Sequence, residues 1–132
     1  RLIESADFFA ENLDKIPVIV VACARLEDVH PTDTELGRLS IVGGASVYPA
    51  VQNMMLAARS EGLGTALTTL LCHEEPEIKK LLEIPEDIST AAHIALGYPE
   101  KPFPKKLARR PLAESAFLER YGDVVPGAPT EP

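Results

Sequence analysis

Arg109 and Arg110 stand side by side in Lys105-Lys106-Leu107-Ala108-Arg109-Arg110-Pro111, the only strongly basic stretch of an acidic chain. A guanidinium is a planar fork that offers a phosphate paired, charge-assisted hydrogen bonds, so phosphate binding is the chemistry these residues suit. Runs of Lys and Arg are usually solvated basic turns, and Lys105 and Lys106 fit that plainer reading. Thr68-Thr69-Leu70-Leu71 is a second stretch of interest, although two Thr at the end of an apolar run also express simple β propensity. His73-Glu74-Glu75 lacks the second His of a zinc-protease helix, and neither His30 nor His93 is spaced to join it, so no metal ligand set is expected. Cys72 precedes His73, but neighbours on a strand point to opposite faces and would not form a catalytic pair. Cys23 and Cys72 are in no Cys-x-x-Cys spacing and are expected to be buried, reduced thiols. Ser46 lies in Gly43-Gly44-Ala45-Ser46-Val47, which is not a hydrolase elbow. The absence of Gly-x-Gly-x-x-Gly and of a phosphate-loop sequence argues against a dinucleotide-binding Rossmann unit.

The elements that must carry these residues follow from periodicity. Val47, Val51, Met54, Met55 and Ala58 recur at three- and four-residue steps, which predicts an amphipathic helix starting near Val47 to Pro49 and stopping at about Glu61. Pro49 suits its first turn, Ser46 is the expected cap, and Gly62-Leu63 reads as a left-handed closure with a hydrophobic partner. Gly43-Gly44 permits a tight approach to that helix. An earlier helix is expected over residues 2–13, with Leu2, Ile3, Ala6, Phe9, Ala10 and Leu13 on one face. Val18 to Ala24 is continuous, β-branched and without alternation, as for a strand covered on both faces, and is the central strand candidate. Residues 25–43 form a long polar connection. Thr65 to Leu71 reads as a second strand, Pro76 to Leu82 as a short helix, and Ser89 to Tyr98 as a third strand. One short ordered element is expected within 113–121, and a fraying Gly/Pro-rich tail over 122–132.

With 132 residues and 45% hydrophobic content the chain suffices for one domain with a core. Its 13 Lys and Arg against 20 Asp and Glu, a formal charge of -7, disfavour a broad nucleic-acid or anionic-membrane footprint. The longest apolar run is too short to span a bilayer and no signal-like segment opens the chain, so cytoplasmic residence is the default. The chain begins at Arg1 and passes directly into helix-like sequence, as expected for the later part of a longer polypeptide.

Read in order, Gly44-Ala45-Ser46-Val47-Tyr48-Pro49 through Arg59-Ser60-Glu61-Gly62-Leu63-Gly64-Thr65 resembles the FMN-dependent nitroreductase family, and the resemblance extends over roughly residues 1–121. It implies an α+β fold, an α/β three-layer sandwich whose central, mainly antiparallel sheet is flanked by helices. The domain would occupy 1–121 without the family's N-terminal segment, followed by the tail 122–132. It also implies FMN as cofactor and NAD(P)H as electron donor. A nitroaromatic, quinone or similar acceptor would be reduced by ping-pong transfer in a homodimer. Met54 and Met55 are candidates for either that dimer interface or ordinary core. The resemblance assigns no catalytic side chain. It places Thr68, Thr69 and Leu70 where a main-chain N–H approaches the flavin N5 edge, and Arg110 and Arg109 at the FMN phosphate. The sequence departs from the family in one respect: nothing in residues 1–43 matches the Arg-Arg-Ser-x-Arg segment that supplies the main phosphate contacts. That departure motivates the alternative of a noncatalytic structural or binding subunit. A third reading keeps the flavin but changes the reaction to dehalogenation, flavin fragmentation or azoline oxidation, with specificity in the loop from Arg25 to Ser40.

Overall fold

In the computed structural model, which describes residues 2–129, three strands and three α-helices alternate. They are α1 (Leu2–Glu11), β1 (Val18–Arg25), α2 (Val47–Ser60), β2 (Gly64–Thr68), α3 (Glu75–Leu82) and β3 (Ile88–Gly97). The chain forms two units, one of residues 1–100 holding all six elements and one of residues 101–132.

The sheet order is β1-β3-β2, with both neighbours antiparallel to β3. The α+β arrangement with an antiparallel sheet is therefore the one observed, but β3 and not β1 is the central strand. An unalternating apolar run reports burial and does not report strand order. Val18 of β1 is exposed, whereas Ala92, His93 and Ile94 of β3 are buried. A bulge between Ala22 and Cys23 of β1 in the pairing with β3 leaves Ala91 as the extra residue.

One face of the sheet packs on α2. Ala92 and Ile94 form the core with Val51, and Val20, Ala22, Val47, Met54 and Met55 pack around them. The two Met thus contribute to the intrachain core. Ile94 is the register partner of Val20 on one side and Leu67 on the other, so all three neighbouring strands supply an apolar side chain at this level.

The ends of α2 show which sequence signals are local. Gly62 takes φ 80, its N–H reaches the Arg59 carbonyl at 3.1 Å, and the Leu63 N–H reaches that of Ala58 at 2.9 Å. These are the two bonds of a Schellman closure, as expected. At the start Ser46 is itself in a helical conformation and its side chain caps nothing. The N–H groups of Val47 and Tyr48 instead reach back to the Gly44 carbonyl at 3.1 and 3.0 Å.

The helix expected over 2–13 ends at Glu11, and a 3-10 turn over Leu13–Lys15 follows. The side chains of Leu2, Ile3 and Ser5 lie outside the described residues. The long connection is organised by Asp33, a buried carboxylate that accepts hydrogen bonds from Arg38, the Ser40 hydroxyl and the Ile41 N–H at 2.7, 2.7 and 3.0 Å. The Ser40 and Ile41 bonds, in that order, hold its pKa below the ordinary 3.8; burial opposes them and Arg38 adds to them.

In the second unit a 3-10 turn spans Leu112–Glu114, Phe117 forms a bridge with Val124, and its ring lies 4.7 Å from that of Tyr121. Pairing therefore runs into the segment expected to fray; Thr130, Glu131 and Pro132 lie outside the described residues. Among the described residues no helix is long and apolar enough to cross a membrane.

Candidate functional site

The second strand ends three residues earlier than its β propensity suggests, and the reason is local. The Thr68 hydroxyl accepts the Leu70 N–H at 3.1 Å, and the Cys72 N–H reaches the Thr69 carbonyl at 3.0 Å, so the chain turns into a 3-10 segment over Leu70–Glu74. Side-chain capture of a backbone donor two residues on competes with continuation of a strand. Leu70 and Leu71, expected in the strand, lie in that turn instead.

Thr68, Thr69 and Leu70 are consecutive at the end of an edge strand, and Thr68 is its last paired residue, opposite His93. Thr69 lies past the ladder with φ -114 and ψ 0, and its N–H is engaged by no turn carbonyl or side chain among the described residues. The Leu70 N–H, in contrast, is committed to Thr68. The turn thus offers one main-chain donor beside a second that is already satisfied.

Beneath this turn, on the sheet face turned away from α2, lie groups that pattern reading passed over. His93 is 1% exposed and is paired with Val21 on one side and Thr68 on the other. Neither of its ring nitrogens has a hydrogen-bond partner among the described residues. Thr90 gives its N–H to the Glu75 carboxylate at 2.6 Å, while its hydroxyl and carbonyl each lie 3.8 Å from the Cys72 sulfur. Burial lowers the His93 imidazole below its ordinary 6.5, and the negative charge of Glu75 opposes that shift. A signal for His93 was present in the sequence, since it stands inside the run Ala91-Ala92-His93-Ile94-Ala95; for the Glu75 contact, made across fifteen residues, there was none.

Both cysteines are free, but Cys23 is exposed and Cys72 half-buried, which corrects the expectation of two buried thiols. Cys23 stands next to the bulge in an edge strand, where its side chain is uncovered. The Cys23 thiol is nonetheless raised above 9.0, first by partial desolvation and then by Glu75. His73 is exposed in the 3-10 turn, and no group of three or more His, Cys, Asp or Glu among the described residues is placed to hold a metal ion.

Arg109 and Arg110 belong to the second unit, separately from Thr68, Thr69 and Leu70 in the first. Both are exposed. The Arg109 guanidinium makes a 3.4 Å hydrogen bond to the Ala108 carbonyl, and that of Arg110 has no ion-pair or hydrogen-bond partner among the described residues. An uncommitted guanidinium is a donor set that fits a phosphate, and an unsatisfied main-chain N–H fits a heteroaromatic ring nitrogen.

The sequence profile of the Nitroreductase family matches residues 3–98. Among solved structures, NfrA2 from B. megaterium is similar with a TM-score of 0.63 at 25% identity, over 83% of this chain and 48% of that one. The NADPH:FMN oxidoreductase from Vibrio harveyi, complexed with NAD+, gives a TM-score of 0.65 at 24% identity over 92% and 55% of the two chains. Nitroreductase A from Vibrio parahaemolyticus gives 0.63 at 24% identity over 92% and 54%. The chain spans about half the length of these structures.

Proposed function

The chain belongs to the nitroreductase family, and from that premise we propose that it forms part of an FMN-dependent oxidoreductase. The enzyme would pass electrons from NAD(P)H to a nitroaromatic, quinone or similar acceptor. The observation that carries the reading is the turn at the end of β2, where the Thr68 hydroxyl occupies the Leu70 N–H and leaves that of Thr69 for a ligand. Thr69 is therefore the position at which the main chain would donate to the flavin ring, with Thr68 and Leu70 shaping its surroundings. Arg110, and secondarily Arg109, would bind the FMN phosphate; for them the support is the family resemblance and an uncommitted guanidinium. The name of the V. harveyi relative, an NADPH:FMN oxidoreductase, is consistent with both cofactors.

Flavin when bound supplies the two-electron chemistry, and the chain contributes binding, orientation and control of its surroundings. No side chain of this chain is assigned a proton-transfer role. Homodimerisation belongs to the same proposal: Tyr48 and Leu56 of α2 keep 45% and 57% of their surface exposed, as side chains awaiting a second apolar surface would.

The test is Arg110→Ala. Losing a charge-assisted phosphate contact should weaken FMN binding about tenfold to a hundredfold, with a smaller loss for Arg109→Ala. Equal FMN affinity in Arg110→Ala and the unaltered protein would overturn the phosphate assignment.

A further inference from the structure

The buried face beneath the Thr68–Leu70 turn holds a titratable side chain that the proposed flavin chemistry does not use. His93 sits in the central strand, sealed from water, with both ring nitrogens unpartnered among the described residues. Its cross-strand neighbour Thr68 is the last strand residue before the turn, and the turn leads within a few residues to Glu75. Glu75 in turn holds the Thr90 N–H of the same central strand. From the elements around this face come Val21 and Cys23 of β1, Thr68 of β2, Cys72 of the 3-10 turn and Glu75 of α3. Of these only Glu75 is a carboxylate, and it is the one whose charge acts on the imidazole.

We propose that His93 and Glu75 form an acid-sensitive latch, in which protonation of the imidazole releases residues 69–75 from the edge of β3. The neutral ring leaves one donor and one acceptor unsatisfied, a cost the fold bears when nothing is charged. An imidazolium has two donors and a full charge in a site only 1% exposed, and an uncompensated buried charge is far more costly than an unpaired neutral group. Glu75 is the compensation at hand, yet its carboxylate already holds the Thr90 N–H. If the carboxylate turns to the imidazolium, the Thr90 anchor of the turn is lost; if it stays, the buried cation remains unpaired and the cover must open to admit water. In both cases the segment that carries Thr69 and Leu70 detaches first, because it lies at a sheet edge and is held by few bonds.

The direction with pH follows from linkage. The folded-state imidazole is held below 6.5, so the latch is fully closed above that value. As pH falls from 6.5 towards the folded value, the open form binds the proton that the closed form refuses. The ratio of closed to open then drops by up to about tenfold per pH unit.

The experiment uses the full chain without flavin. Amide hydrogen exchange, corrected for the intrinsic effect of pH on the exchange rate, is followed at Thr90 and residues 69–75 between about pH 7.5 and about pH 5.5. The expected result is a loss of protection towards about tenfold per unit below pH 6.5, and its absence in His93→Gln, which has no imidazole at this buried position. Protection that is flat with pH in the unaltered chain, or that falls equally in His93→Gln, overturns the proposal. Should His93→Gln not fold, the imidazole resonance of the unaltered chain is titrated by NMR instead. A midpoint below 6.5 that coincides with loss of Thr90 protection supports the latch, and a midpoint at or above 6.5 overturns it. The proposal stands on the apo fold, and only its consequence for the cofactor rests on the flavin reading. A flat exchange profile therefore removes the latch and leaves flavin binding untouched, whereas failure to bind flavin leaves the exchange result intact.

Discussion

Replacing Ile94 by Ala should remove a large part of the stability of the first unit. Ile94 has 0% exposure, lies between Val20 and Leu67 on the face that meets α2, and touches the cluster built on Val51. Roughly three buried carbons are lost, at about 0.8 kcal/mol each, which gives about 2.4 kcal/mol for transfer alone. The void left among neighbours held by sheet hydrogen bonds adds a cavity contribution, so a total of about 3–4 kcal/mol is expected. A domain stable by roughly 5–15 kcal/mol would keep its fold but lose about a fifth or more of that margin. In a urea titration read by far-ultraviolet circular dichroism, an m-value near about 1.5 kcal/mol per M converts this to a midpoint lower by about 2 M. Leu39→Ala is the control, because Leu39 is 89% exposed and its loss should change stability by no more than about 0.5 kcal/mol. A cost for Ile94→Ala below about 1 kcal/mol, or no larger than that of the control, would refute the placement of the core.

Gly44→Ala would set a Cβ inside contact distance of the Tyr48 ring, pushing it away and breaking the 3.2 Å bond from its hydroxyl to the Ala91 carbonyl. A loss of about 1–2 kcal/mol is expected in thermal melts, and it should largely vanish when the same change is made on a Tyr48→Ala background. Glu83 closes α3 with φ 55 while the Ile84 N–H reaches the Lys79 carbonyl at 2.8 Å, a closure that favours glycine. Glu83→Gly should therefore stabilise by about 0.5–1 kcal/mol in the same urea assay, less whatever the freer unfolded chain offsets.

What could be read from the sequence were features whose cause is local. The α2 stripe of Val47, Val51 and Met54, and its Gly62-Leu63 closure, depend on a few neighbouring residues, and both are present as expected. Apart from the Ser46 cap, a local signal that is not realised, what was misread depended on partners distant in the chain or on a bond that competes with propensity. The apolar run of β1 resembles a central strand, but the choice of β3 for the centre is made by pairing from both sides. The threonines of β2 favour extension until one hydroxyl captures the Leu70 N–H and ends the strand. Asp33 and Glu75 look like ordinary surface carboxylates; one gathers Arg38, Ser40 and Ile41, and the other reaches Thr90. For the candidate site, the family resemblance pointed to Thr68–Leu70, but not to the hydrogen bond that occupies the Leu70 N–H and leaves that of Thr69 without a turn partner among the described residues. Arg109 and Arg110 stand out by charge alone, a property of the sequence that needs no fold.

The central claim is flavin binding, and a titration of the purified protein with FMN tests it most directly. Quenching of flavin fluorescence and perturbation of its visible absorption bands report the bound state, with circular dichroism confirming that the protein is folded throughout. Saturable binding, weakened in Arg110→Ala and followed by bleaching when NADPH or NADH is added without oxygen, is the expected result. A folded protein that neither quenches nor perturbs FMN would contradict the account and leave the family fold without its cofactor chemistry.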